Sequence, residues 1–265
     1  KNSFYKNAST GFFINRTVSA VFLLFCLIAS LEFLKSLDEK KIKRNRDDFF
    51  LKIYVRLFII FITIGIITSF SRIGNFLLLI TIIFYLINEL FVLKSNNKSF
   101  RNTILLIIFF DIVILGIYFG SSQLFDRFYL LKDDLILTNS SELNLNRFKI
   151  IEFSLSELRN FKFFGYGSGS FENLFVINFD NPSHFYANHS HSDIIEFIGE
   201  FGLVGFIFLI ISLLKFFFNK ERYTFINLIL MSYLLIILGF DFALHVPLIQ
   251  ISFIIFFNIN KNYSV

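Results

Sequence analysis

The sequence is 265 residues long, 55% hydrophobic and only 17% charged, and it contains 42 phenylalanines. A soluble domain of this size cannot bury that much apolar surface, which excludes a cytosolic globular enzyme, a disordered tail and a disulfide scaffold. The net charge of +5 is accounted for by basic loops of a membrane protein, so we expect no nucleic-acid partner. The single cysteine, Cys26, lies in an apolar run, which excludes a cysteine-based metal site.

Seven apolar runs are long enough, or nearly so, to cross a hydrocarbon core, which takes about 20 residues. None alternates with the period of a barrel strand, so each is predicted to be a helix. They cover residues 17–34, 53–70, 75–93, 103–120, 194–218, 223–240 and 246–257. The sequence therefore predicts an all-α polytopic membrane protein with about seven transmembrane helices. We expect residues 1–265 to form a single membrane domain, as a fragment of a longer chain with further helices before Lys1.

Basic residues predict how these helices are oriented. Fifteen Lys and Arg lie in the segments on one side, against four in the short segments on the other. The positive-inside rule places the basic side in the cytoplasm, so the segment 121–192 between the fourth and fifth runs faces outward as a large periplasmic loop. Apolar residues at helical spacing in 144–160 predict an amphipathic helix within a small folded loop subdomain, and loops of this size often carry function.

Two features of the outward face are candidates for binding. Arg72 lies in the turn Ser71-Arg72-Ile73-Gly74, where it either anchors the chain at the membrane boundary or receives a phosphate in its planar fork. The stretch 165–171, Gly-Tyr-Gly-Ser-Gly-Ser-Phe, is either a structural turn or a turn whose backbone N–H groups approach a ligand. It lacks the Lys-Ser/Thr ending of a P-loop, so nucleotide binding is not expected.

Histidines cluster just before the fifth run. His184, His189 and His191 fall within eight residues, and His189, His191 and Asp193 resemble the metal-binding string of metallo-hydrolases. That string needs a further histidine where Ile194 stands, so we predict no metal. Surface histidines and a general base both remain open, because an imidazole accepts a proton near neutral pH.

Asp241 and His245 share the outward turn before the seventh run and lie four residues apart. If that turn is helical, both side chains face the same site. Asp241 then orients His191, and a solvated turn is the alternative.

The sequence resembles the His-(Asn/Ser/Gln)-x9-Gly-x-x-Gly signature of the O-antigen ligase family. The match consists of His191-Ser192, nine further residues, and Gly202-Leu203-Val204-Gly205. Glu200 stands where the family usually has a glutamate before the glycine pair. This family also contains O-antigen polymerases and bacterial protein O-oligosaccharyltransferases.

Further stretches strengthen the resemblance. The segment 165–171 resembles the Gly-x-Gly-x-x-Phe element of the family. Ser71-Arg72 resembles its Ser-Arg-Gly turn, although Ile73 stands where glycine is common. Arg147 lies upstream of the glycine turn, as does a functional arginine in the family.

The resemblance spans residues 53–257 and implies a metal-independent, inverting membrane glycosyltransferase of the bacterial inner membrane, without a cofactor. It implies an undecaprenyl-diphosphate-linked glycan donor, His191 as general base, and Arg72 and Arg147 as ligands of the donor pyrophosphate. Possible sugar or acceptor contacts are Gly167, Gly169, His189, Asp241 and His245. The acceptor is lipid A-core for a ligase and another carrier-linked glycan for a polymerase, and both remain open. A lipid-linked glycan transporter is disfavoured, because the sequence shows neither inverted repeats nor broken helices that meet at the bilayer midplane, and its polar residues cluster at one face.

Overall fold

A computed structural model describes residues 9–39, 46–89, 100–108, 147–179, 187–190, 192–218 and 224–259. Every regular element in these ranges is a helix, which confirms the all-α prediction. The helices are α1 (Arg16–Glu39), α2 (Arg46–Thr68), α3 (Arg72–Ile87), α4 (Arg147–Glu157), α5 (Phe171–Asn178), α6 (Asp193–Phe217), α7 (Phe225–Phe240), the 3-10 turn Ala243–His245 and α8 (Pro247–Ile259). Residues 100–108 are also helical.

Three of the described helices are long and apolar enough to cross a membrane: Arg16–Asp38, Phe49–Thr68 and Asp193–Phe216. The apolar helices α3, α7 and α8 are shorter and coincide with three more of the predicted runs. Of the run 103–120, only the part up to residue 108 is described. The total of seven spans therefore stays a prediction.

The chain divides into two compact units. The first comprises Lys1–Ser121, Phe225–Leu230 and Val246–Val265, and the second comprises Ser122–Thr224 and Met231–His245. The segment 121–192, which is predicted to face outward, thus belongs, apart from its first residue, to the same unit as α6 and most of α7.

The first unit is built around α1. Ala20, Leu24 and Leu27 are completely buried on this helix, and a Cβ added at Gly74 would lie 2.4 Å from the Cβ of Ala20. Glycine at the start of α3 is therefore what lets α3 approach α1 this closely. Near the other end of α1, Lys35 pairs with Glu89 at 3.7 Å, so a buried carboxylate in this apolar unit has a cationic partner.

The second unit contains a small apolar core of its own. Ile150 and Phe153 of α4 pack with Phe171 and Phe175 of α5 and with Ala187. The Phe153 and Phe175 rings meet edge to face, with centroids 5.2 Å apart. The amphipathic helix predicted within 144–160 is confirmed as α4.

Candidate functional site

Arg72 is the first residue of α3 and follows a braced turn. The Ser71 hydroxyl caps α3 by accepting a hydrogen bond from the Gly74 N–H at 3.1 Å, and it donates to the Thr17 hydroxyl at 3.1 Å. Phe70 adopts a left-handed φ of 52° before this cap. Arg72 is exposed. An arginine beside the positive end of a helix favours an anion at this position.

Arg147 is the first residue of α4, and its side chain lies outside the described part of the structure. The predicted base, His191, also lies outside the described residues. Their proposed roles therefore rest on the sequence.

The glycine turn docks on α6. Tyr166 N–H donates to the Gly199 carbonyl at 2.9 Å, and Gly167 N–H donates to the Glu200 carbonyl at 3.1 Å. Gly169 N–H donates to Glu200 Oε1 at 2.7 Å. The amide groups expected to approach a ligand thus hold this turn against a helix of the same unit.

The helix that receives this turn is broken at Gly202, which has φ 66° and ψ −168°. The Leu203 and Val204 N–H groups donate instead to the carbonyls of Lys162 and Phe163, at 2.9 and 3.2 Å. The sequence alone did not reveal this break. The loop pairs with the backbone N–H and carbonyl groups that lose their helical partners at the break. The spacing of glycines in a sequence signature does not reveal this pairing.

Close backbone approach explains why the turn and the helix both need glycine. A Cβ at Gly165 would lie 2.3 Å from the Glu200 carbonyl, and a Cβ at Gly202 would lie 2.3 Å from the Phe163 oxygen. Both glycines also have positive φ, at 74° and 66°. The Tyr166 ring fills the space beside Gly199, and burial raises the pKa of its hydroxyl.

A cluster of two histidines and two carboxylates lies at the start of α6. His189 Nδ1 is 3.0 Å from Glu196 Oε1, and Ser190 N–H donates to Glu196 Oε2 at 2.8 Å. His245 Nδ1 is 2.7 Å from Asp193 Oδ1, and its Nε2 is 3.3 Å from Glu196 Oε1. We call these four side chains, His189, Asp193, Glu196 and His245, the histidine–carboxylate cluster.

The end of α7 brings His245 to this cluster. Asp193 N–H donates to the Asp241 carbonyl at 3.1 Å, which joins α6 to the turn after α7. Asp241 Oδ1 accepts from the Phe242 N–H at 2.7 Å, and Asp241 is only 2% exposed. The alternative of a solvated turn does not hold at Asp241, which is buried, and His245 lies in a single 3-10 turn.

The cluster contains charges of both signs, on a histidine ring and on the two carboxylates. The carboxylates of Asp193 and Glu196 raise the pKa of His245 from 6.5 to about 10, so this ring is an imidazolium at neutral pH. Both carboxylates lie in the first turn of α6, where the helix dipole favours negative charge.

His189, Glu196 and His245 could in principle hold a metal, since one ligand atom from each lies within 4.8 Å of the others. These are residue types that zinc accepts. In the structure, His189 Nδ1 and His245 Nε2 lie 3.0 and 3.3 Å from Glu196 Oε1. We describe the cluster by its hydrogen bonds and ion pairs and assign no metal to it.

Two of the residues predicted to contact the acceptor, His189 and His245, lie close together in the structure. They are linked through Asp193 and Glu196, to which the sequence analysis assigned no role. Their signal was present in the sequence: two carboxylates in the first turn of an apolar helix, directly after a histidine pair. The sequence did not show that His245 is their partner, because His245 lies more than forty residues away in the chain.

Comparison with known protein families gives a match. The O-antigen ligase family model matches residues 57–210, more than half of the chain. The chain belongs to the O-antigen ligase family. No curated protein and no solved structure matches it significantly. The matched range contains Arg72, the glycine turn and the start of α6, whereas Asp241 and His245 lie beyond it.

Family membership confirms the resemblance found in the sequence. This O-antigen ligase family member is a membrane glycosyltransferase of the ligase or polymerase type, associated with lipopolysaccharide biosynthesis. Its substrates are, in general terms, a lipid-linked glycan donor and a glycan acceptor.

Proposed function

We propose that the enzyme transfers a glycan from undecaprenyl diphosphate to an acceptor hydroxyl, at the periplasmic face of the bacterial inner membrane. The observation that carries this proposal is the family match over 57–210, which includes Arg72, Arg147 and His191. We propose lipid A-core as the acceptor.

The chemistry is a single displacement without metal or cofactor. The acceptor oxygen forms a bond to the anomeric carbon while the bond from that carbon to the phosphate oxygen breaks, which inverts the anomeric centre. The acceptor proton passes to His191, and the electron pair leaves on the carrier pyrophosphate. Arg72 and Arg147 offset the negative charge that develops there. The start of α3, where Arg72 lies, supports this role, because the helix N-terminus also favours an anion.

The acceptor contacts differ in how well the geometry supports them. His189 is supported best, because its side chain is 34% exposed within the cluster. Gly167 and Gly169 are exposed, but their N–H groups already donate to Glu200, so sugar contacts there would use other atoms. Asp241 is buried, and His245 faces two carboxylates. The geometry therefore favours a supporting role in the cluster for both residues over direct contact with a sugar.

Transfer is tested in a strain that lacks the intact parent gene, complemented with wild type, His191→Ala or Arg72→Ala. Surface glycans are resolved on a gel, carrier-linked glycans are quantified, and membrane levels are matched by immunoblot. We expect both variants to behave like the deletion strain. Arg101→Ala, an arginine change in the helical residues 100–108, is the control and should restore wild-type glycans.

The glycan that accumulates separates the two activities of the family. Long carrier-linked chains indicate a ligase, and single capped repeats indicate a polymerase, which is the alternative function. In isolated membranes, transfer should be unchanged by a chelator of divalent cations. A wild-type ladder from His191→Ala and Arg72→Ala at normal membrane levels would contradict the proposed function.

A further inference from the structure

Glu196 connects the donors of the histidine–carboxylate cluster. Its Oε1 faces His189 Nδ1 at 3.0 Å and His245 Nε2 at 3.3 Å, while its Oε2 accepts from Ser190 N–H at 2.8 Å. The Glu196 side chain is only 4% exposed. Because a buried carboxylate needs such donors to offset its desolvation, these contacts fix its position.

This arrangement decides which nitrogen of His189 carries hydrogen. A carboxylate only accepts hydrogen bonds, so Nδ1 of His189 must be the donor to Glu196. A neutral imidazole has one N–H, and its Nε2 then carries a lone pair. Among the residues that the structure describes, none is hydrogen-bonded to this Nε2.

His245 acts as a fixed cation that supports this arrangement. Its two ring nitrogens face Asp193 at 2.7 Å and Glu196 at 3.3 Å, so neither is left with a lone pair for a substrate. The His189 ring stacks with Phe242 at a centroid distance of 5.2 Å and lies 4.5 Å from the His245 ring. These contacts define the plane of the His189 ring as well as its tautomer.

We propose that Glu196 and Asp193 are positioning residues that act with His245 to hold His189 as its Nδ1–H tautomer and reserve its Nε2 for a hydroxyl of the glycan acceptor. This inference rests on the proposed transferase function. The Nε2 lone pair accepts a hydrogen bond from the acceptor and aligns its hydroxyl for attack. The positioning follows the logic of a carboxylate that orients a catalytic imidazole.

The tautomer is measured directly by nitrogen NMR of the histidine-labelled protein in lipid. The chain has four histidines, so His189→Gln and His245→Gln assign the two signals of interest. We expect His189 to show a protonated Nδ1 and a bare Nε2, and His245 to show two protonated nitrogens at neutral pH. A protonated Nε2 with a bare Nδ1 on His189 would overturn the inference, whatever the activity of any variant.

Activity is measured in the complemented strain with Glu196→Gln, which keeps the shape and removes the charge. The amide cannot accept from all three donors, so transfer should fall about 100-fold at normal membrane levels, with mixed tautomers at His189. Asp193 acts on His189 through His245, so Asp193→Asn should cause a smaller loss of transfer. The control Glu172→Gln, an exposed carboxylate on α5, should leave transfer unchanged.

The outcomes separate this inference from the proposed function. Loss of transfer in both His191→Ala and Glu196→Gln, together with the expected spectrum, supports the inference. Loss in His191→Ala with full transfer in Glu196→Gln and His189→Gln overturns the inference alone. Full transfer in all three variants overturns the inference and the assignment of the base together.

Discussion

Two glutamates one helical turn apart on α6 have different partners. Glu200 accepts the Gly169 N–H through Oε1 at 2.7 Å, and its carbonyl accepts the Gly167 N–H at 3.1 Å. Glu196 instead faces two imidazole rings and the Ser190 N–H. The same side chain therefore fastens a backbone turn at one position and orients titratable rings at the other.

The comparison separates the glycines of the family signature from the histidines that lie near it. Glycines of the signature and of the upstream turn serve the fold, because they let the loop and the broken helix touch. The histidines are held by side chains whose charge matters. Substitutions at the first kind of residue should remove protein from the membrane, and substitutions at the second kind should remove activity from folded protein.

The largest effect is expected for Gly202→Ala. Its positive φ and the Phe163 oxygen 2.3 Å from an added Cβ together cost several kcal/mol, on the order of 3 or more. We expect little protein in the membrane, measured by immunoblot and by retention in detergent. The control Gly239→Ala has no atom within 4 Å of the added Cβ and should be stable or slightly stabilised. Equal membrane levels for both variants would contradict the role given to the break.

The next effect sharpens the contrast between the two glutamates. Glu200→Gln keeps an oxygen that can accept from the Gly169 N–H, so transfer should stay within about threefold of wild type. Glu196→Gln should lose far more, for the reasons given above. Both are measured in the complemented strain at matched membrane levels. Equal losses in the two variants would show that the two carboxylates have the same kind of role.

A smaller effect concerns the stability of the cluster against pH. His245 has a pKa of about 10 in the folded protein against 6.5 for the free side chain, so its stabilisation is complete below about pH 6.5. That stabilisation is lost as the pH rises towards 10. The ring is 38% exposed, so we expect only about 1 kcal/mol after screening by solvent.

Thermal unfolding in detergent at pH 6, 8 and 10 tests this expectation. His245→Gln should be less stable than wild type at pH 6, and the difference should shrink by pH 10. A difference between the two proteins that stays constant over this range would exclude His245 as the titrating group.

The smallest effect, on thermal stability, is expected in the first unit at the start of α3. Ser71→Ala removes the cap of α3 and the hydrogen bond to Thr17, which should cost about 1 kcal/mol. Ser168→Ala removes an exposed hydroxyl of the glycine turn and should change the unfolding temperature very little. Thermal unfolding of both variants against wild type measures the difference.

Helix type and approximate position could be predicted from the sequence. Apolar runs at membrane length identified α1, α2 and α6, because burial in hydrocarbon leaves a strong compositional signal. The spacing of apolar residues also identified α4. The break at Gly202 could not be predicted, since the same glycine is compatible with an intact helix until its backbone partners are known.

The candidate site was predicted in part. His189 and His245 were identified individually from their residue types. Their pairing through Asp193 and Glu196 depends on contacts between α6 and the turn after α7, which are distant in sequence. Local spacing carries no information about such contacts, so the carboxylates that organise the rings were not assigned.

The break in α6 also bears on the order in which the protein is assembled. An isolated helix entering a bilayer must satisfy its own backbone, because lipid offers no hydrogen bonds. The bonds from Leu203 and Val204 to Lys162 and Phe163 can form only when the earlier segment has folded back. We therefore expect α6 to insert as a continuous helix and to bend afterwards, as a late step of biogenesis. Molecules halted before that step would have a complete set of membrane helices but no glycine turn docked on α6.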